Sequence, residues 1–179
     1  MPIYGLVFLM NIYPEEGETF TIKKRYRFIS KSHKDIKIMI DLDIYPNKIC
    51  VVSFFRHEFG SGKAKYRVRT EISGAYAIRI FKACLQAFYQ LPEPHAFVYS
   101  AANDLGIIVE DNARNSAYRI FLSRYFIDFE NHVQNGSIRL NTMMLYPQDF
   151  IYATHAEKFF ASFETDVEDG LCAHEPDVK

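Results

Sequence analysis

The sequence predicts an α/β domain of the α+β type, a mainly antiparallel twisted sheet with two principal helices packed on it. Three observations carry that prediction. Apolar and polar residues alternate from Phe20 to Ile29 and from Ile36 to Ile44, the spacing changes to three and four at Gly74, and short apolar runs return at His95 and Ile138. A two-residue repeat marks strands and a 3.6-residue repeat marks helices, so strands come first and helices are then interleaved with further strands.

Ile3 to Met10 is a short apolar run followed by a turn signal at Tyr13 to Gly17. From Phe20 to Ile29, Phe20, Ile22, Tyr26 and Phe28 share one side, and Thr21, Lys23, Arg25 and Arg27 the other. Ile36, Ile38, Ile40, Leu42 and Ile44 alternate with Lys37, Met39, Asp41 and Asp43, which predicts a half-buried strand. The Tyr45-Pro46-Asn47-Lys48 turn leads into an apolar return strand, Ile49 to Phe55. Phe59 to Lys63 turns the chain again into a strand from Ala64 to Thr70, giving an antiparallel meander.

From Gly74 to Gln90 the polar residues Arg79, Lys82, Gln86 and Gln90 form one narrow stripe, which predicts a mostly buried helix capped by Ser73 and ended by Pro92. His95 to Ser100 is a short strand. A second helix is expected from Asn112 to Phe129, with Tyr118, Phe121, Leu122, Tyr125 and Phe129 along its apolar face. Asn135-Gly136 reads as a turn, Ile138 to Tyr146 and Asp149 to Ala153 as two strands, and Ala156 to Phe163 as a short helix. The expected organisation is one domain, 1–165, followed by a mobile acidic tail, 166–179.

Composition narrows the function classes. Sixteen Phe and twelve Tyr without Trp predict a core of packed rings. The run at Ile3 to Met10 is far shorter than the roughly 20 apolar residues of a membrane helix, and it lacks the flanks of a secretory signal. Cys50, Cys84 and Cys172 form no CxxC pair and suggest no disulfide framework. The expectation is therefore a cytoplasmic protein without a membrane partner. Of a net charge of −1, five acids against one lysine lie in the tail, which leaves +3 on the body.

The motifs are sparse. Gly60-Ser61-Gly62-Lys63 departs from a phosphate-binding P-loop, because His57 stands at the first glycine, Ala64 replaces the hydroxyl, and a strand follows. It reads as a hairpin turn. The six histidines show no paired ligand spacing, and no GxSxG nucleophile turn occurs, so neither a metal nor a cofactor is expected.

The better candidate is an anion crevice made by Ser100, Asn103, Arg114, Asn115 and Arg119. Arginines in the first turns of a helix oppose its dipole unless carboxylates or a bound anion offset them, and Glu110 and Asp111 could serve. A crevice beyond the carboxyl end of a strand is a common ligand position. Lys23, Lys24, Arg25 and Arg27 interleave with Tyr26 and Phe28, the composition of a nucleic-acid surface. Strand alternation instead predicts core aromatics and a solvated face of cations.

The segment Asn112-Ala113-Arg114-Asn115-Ser116-Ala117-Tyr118-Arg119-Ile120-Phe121-Leu122-Ser123-Arg124-Tyr125-Phe126 resembles a family of uncharacterised bacterial proteins, in which this helix reads roughly A-x-N-R-x-F-x-R-W-F; Tyr125 stands at the tryptophan. The resemblance spans the helix from Ala75 to Leu91, the strand from His95 to Ser100 and this helix, and implies no activity. The order of elements is also similar in topology to the later part of an acyl-CoA N-acyltransferase domain. That similarity implies a pyrophosphate loop ahead of the first helix, with Ser73, Gly74 and Ala75 offering backbone amides. The loop pattern [RQ]-x-x-G-x-[GA] fits neither from Arg69 nor from Glu71.

The expected function is a binding or regulatory module without catalysis that engages a protein partner. An acyl-CoA-dependent N-acyltransferase and a nucleic-acid-associated protein are the alternatives.

Overall fold

A computed structural model describes residues 4–57, 74–100 and 113–172. The described chain has a mixed α+β fold, with seven strands in one mostly antiparallel sheet and three helices packed on it. The strands are β1 (Leu6–Ile12), β2 (Ile22–Ser30), β3 (His33–Tyr45), β4 (Ile49–Arg56), β5 (Ala96–Ser100), β6 (His132–Ser137) and β7 (Thr142–Pro147). Their spatial order is β1-β2-β3-β4-β5-β7-β6. The helices are α1 (Gly74–Tyr89), α2 (Ala113–Tyr125) and α3 (Ala153–Cys172). No described helix is long and apolar enough to cross a membrane.

The meander β1 to β4 follows the alternation of the sequence. Hairpin β3–β4 closes through Pro46, Asn47 and Lys48, with Asn47 (φ 66°) and Lys48 (φ 56°) left-handed, a conformation Asn tolerates better than most residues. Among the described strands only β4 and β5 run parallel, and α1 lies in the connection between them.

Each face of the sheet has its own core. On one side Ile38, Ile40 and Leu42 of β3, Cys50 and Val52 of β4, and Phe97 and Tyr99 of β5 meet α1 and α2 through Tyr76, Ile80, Phe88 and Phe121. On the other, Ile49, Val98, Met144 and Tyr146 meet α3 through Ala156 and Phe160. Rings dominate, as the composition predicts: Phe88 stands edge-on to Phe97 (5.1 Å), and Phe81 edge-on to Tyr118 (4.4 Å). Cys50 and Cys84 are buried and unbridged, and burial pushes both thiols up, so they pack as small apolar groups.

Strand β3 departs from the half-buried expectation. Asp41 and Met39, on the face opposite Ile40, are buried as well, because an ion pair described below makes the charged side of the strand fit for an interior.

The second half of the chain corrects several boundaries. Helix α2 ends at Tyr125, short of the expected Phe129. Asp128 is left-handed (φ 54°), and a 3-10 helix, Phe129–Asn131, starts a new direction. The freed Ile127 N–H donates to Tyr89 Oη at 2.9 Å.

Asn135-Gly136 is not a turn but lies inside β6, and the reversal comes at residues 138–141, where Asn141 takes φ 54°. Glycine is needed at 136 for close approach: a Cβ there would stand 2.4 Å from the Thr142 carbonyl oxygen. The expected strand at Asp149 to Ala153 is a turn into α3, closed by Phe150 N–H donating to Pro147 O and Ala153 N–H donating to Phe150 O. Helix α3 starts three residues before Ala156 and runs to Cys172, past the point where apolar periodicity fades. Its distal half is tied to the sheet by Thr142 Oγ1 donating to Glu164 (2.9 Å) and Arg139 donating to Glu168 (2.8 Å). The strand expected at Ala64 to Thr70, the Gly60 to Lys63 turn, Ser73 and residues 173–179 lie outside the described residues.

Candidate functional site

The most distinctive feature of the sheet is where its parallel pair separates. Residues Ile49, Cys50 and Val51 of β4 pair with Ala96, Phe97 and Val98 of β5, and the registered pairing stops there. Both strands continue. Strand β4 stays paired to β3 as far as Arg56, opposite Ile38, while β5 stays paired to β7 as far as Ser100, opposite Thr142. Each strand thus follows its other neighbour, and Val52–Arg56 and Tyr99–Ser100 part beyond the last registered pair.

Aromatic rings gather where the two strands part. Tyr118 of α2 stands edge-on to Tyr99 of β5 at 5.1 Å and edge-on to Phe54 of β4 at 6.3 Å, so one ring from the helix touches both separating strands. Phe81 of α1 closes the group, 6.0 Å from Phe54. The sequence reading placed Tyr118 on an apolar helix face without assigning it to a site. Its spacing alone could not show that α2 lies over the gap in the sheet.

The predicted anion crevice is brought together in part. Ser100 ends β5 as the cross-strand partner of Thr142, and Arg119 Nη2 donates to the Thr142 carbonyl at 3.3 Å, so both converge on Thr142. That approach passes over Gly136, where an added Cβ would lie 3.2 Å from the same guanidinium nitrogen. One function of Arg119 is therefore to join α2 to the β6–β7 hairpin. Arg114 and Asn115 belong to the first turn of α2 and Gly74 and Ala75 to the first turn of α1, whereas Asn103 and Ser73 lie outside the described residues.

The basic strand is arranged differently from a solvated face of cations. Arg25 pairs with Asp41 directly across β2–β3, and Lys23 Nζ stands 3.6 Å from Asp43. Their side chains keep only 21% and 15% of their exposure. The Arg25 guanidinium also lies over the Phe55 ring (5.4 Å), Lys23 over Phe20 (5.1 Å) and Lys24 over Phe8 (5.7 Å). Arg27 Nε is buried without a hydrogen bond to a described residue. Tyr26 and Phe28 are core residues, as strand alternation predicts. Charge pairing explains the difference: the acids of β3 sit opposite the bases of β2, and neither set is left facing water alone.

Burial pushes the Asp43 carboxyl up to about 6, against the lowering pull of Lys23. Among the described residues no group of three or more His, Cys, Asp or Glu side chains is placed to hold a metal ion. Compared with protein-family models, curated proteins and solved structures, the chain matches none.

Proposed function

We propose that the protein is a binding module working without catalysis, and that its ligand binds where β4 and β5 part. The observation carrying this reading is the end of registered pairing at Val51–Val98 while both strands run on. Where two strands part, an extended segment of a partner can lie along them as an added strand would. The half-buried rings of Phe54 and Tyr118 offer packing surface there, backed by the buried Tyr99. The ion pairs Arg25–Asp41 and Lys23–Asp43 commit nearby charges of the sheet to one another.

The test is capture of a partner by the wild-type chain and by Tyr118→Arg, which puts a charge where the strands part. A partner retained by wild type and lost by a variant of unchanged melting temperature supports the reading. Equal capture by both overturns this place as the contact.

A second reading is an acyl-CoA-dependent N-acyltransferase, favoured by the order of elements: an antiparallel meander, a helix, one parallel strand, a helix and a final hairpin. The extended pantetheine arm of coenzyme A carries two amides and could lie between the separating strands, with the backbone amides of Gly74 and Ala75 at the start of α1 available to the pyrophosphate. Calorimetry with coenzyme A and acetyl-coenzyme A separates the readings. Saturable binding lost in Tyr118→Arg favours this second one, and no heat from either ligand removes it.

A further inference from the structure

We infer that a phosphate-bearing small anion binds in a cavity at the end of the sheet where the β2–β3 turn meets α1. The cavity, of about 550 Å³, is walled by Ser30, Lys31 and Ser32 from the turn, Arg79 and Lys82 from α1, and Tyr4 at its rim. Phe28 completes a largely apolar wall on which side chains of three cationic residues and two serines meet, and no carboxylate of a described residue lines it.

The hydroxyls are already ordered around the guanidinium. Arg79 Nη1 donates to Ser30 Oγ at 3.1 Å and to Ser32 Oγ at 2.6 Å, and the two serine oxygens are 3.0 Å apart. Ser32 Oγ is also 2.9 Å from His33 Nδ1, whose ring stacks on Tyr76 of α1 at 4.2 Å. Because both oxygens accept from Arg79, their own protons point elsewhere. One can lie between the two serines, and the other is available to His33 or to an incoming anion.

The charges lack anionic partners. Arg79, Lys31 and Lys82 form no ion pair with a described residue. The lysines rest on rings instead, Lys31 Nζ over Tyr4 at 4.2 Å and Lys82 Nζ over Tyr125 at 4.5 Å. Lys31 and Lys82 line the same space as Arg79, so a multiply charged anion there meets positive residues of both the turn and the helix. A guanidinium fork flanked by ammonium groups and hydroxyls matches the several oxygens of a phosphate better than the two of a carboxylate. The exposed Tyr4 ring offers a face to an organic substituent. Phe54, Tyr99 and Tyr118 take no part in this wall, so the inference stands apart from the reading at β4 and β5.

The experiment is calorimetric titration of the full chain, at low salt, with inorganic phosphate and with phenyl phosphate. Both are expected to bind. Arg79→Gln should weaken both by roughly tenfold or more, the effect of a lost charge-assisted hydrogen bond, with the fold retained and the melting temperature lowered only by the loss of its two hydrogen bonds to Ser30 and Ser32. Lys82→Gln gives a second, independent loss should Arg79→Gln fold poorly. Tighter binding of phenyl phosphate that disappears in Tyr4→Ala assigns the site to phosphate esters, and equal binding of the two assigns it to the free ion. Absence of binding by either probe, or binding undiminished in both cation variants, overturns the inference.

Discussion

Arg25 and Asp41 face each other across β2 and β3 and are joined by two parallel hydrogen bonds, Nε to Oδ1 at 2.7 Å and Nη2 to Oδ2 at 2.8 Å. Asp41 is fully buried, so the pair brings a charge into the sheet that neither residue would tolerate alone. Two strands with opposite charges in register thereby become interior on their second face.

Removing one partner should cost more than removing both. Asp41→Ala removes both charge-assisted hydrogen bonds between the Arg25 guanidinium and the carboxylate and is expected to destabilise the fold by about 3 kcal/mol. The double variant Arg25→Met with Asp41→Leu should recover most of that loss. Urea denaturation of the single and double variants measures the difference, and additive losses would contradict it.

Stability should depend on pH through Asp43. Its carboxyl is raised from 3.8 to about 6, chiefly by burial. A carboxyl whose pKa is higher folded than unfolded binds its proton more tightly in the native state, so this contribution is fully present below about pH 4 and is lost as pH rises through about 6. The expected effect is on the order of 2 kcal/mol. In Asp43→Asn the slope between those two pH values should flatten, as read from denaturation midpoints across that range.

Gly136→Ala should loosen the β6–β7 hairpin. The added methyl would lie 2.4 Å from the Thr142 carbonyl oxygen, a contact relieved only by moving backbone, and 3.2 Å from the Arg119 guanidinium. A loss of roughly 1–3 kcal/mol is expected. Amide hydrogen exchange should show the opening first at β6 and β7.

Phe160 anchors α3 on the second face of the sheet and is 1% exposed. Phe160→Ala is expected to cost about 3–5 kcal/mol. Glu168→Ala removes only the exposed Arg139 pair on the same helix and should change stability by less than about 1 kcal/mol. Thermal melts of the two variants test whether apolar burial or the acidic end holds this helix in place.

The sequence by itself determined the elements that carry a strong local period: the β1–β4 meander, the buried helix with its polar stripe from Arg79 to Gln90, and the short strand at Ala96–Ser100. Local periodicity reports which side of an element is apolar, and that suffices where one face is buried and the other is not. It misread Gly136, whose use is close backbone approach and not a turn, and the charged face of β3, whose burial depends on a partner strand sixteen residues away. It saw Arg79 only as part of an exposed stripe, since nothing local to α1 reveals the hydroxyls of Ser30 and Ser32. Tertiary structure alone decided where β4 leaves β5, which ring fills the gap, and which cations meet without a carboxylate. Those relations join residues far apart in the chain, and their energies arise only when packing brings the groups within a few ångströms of one another.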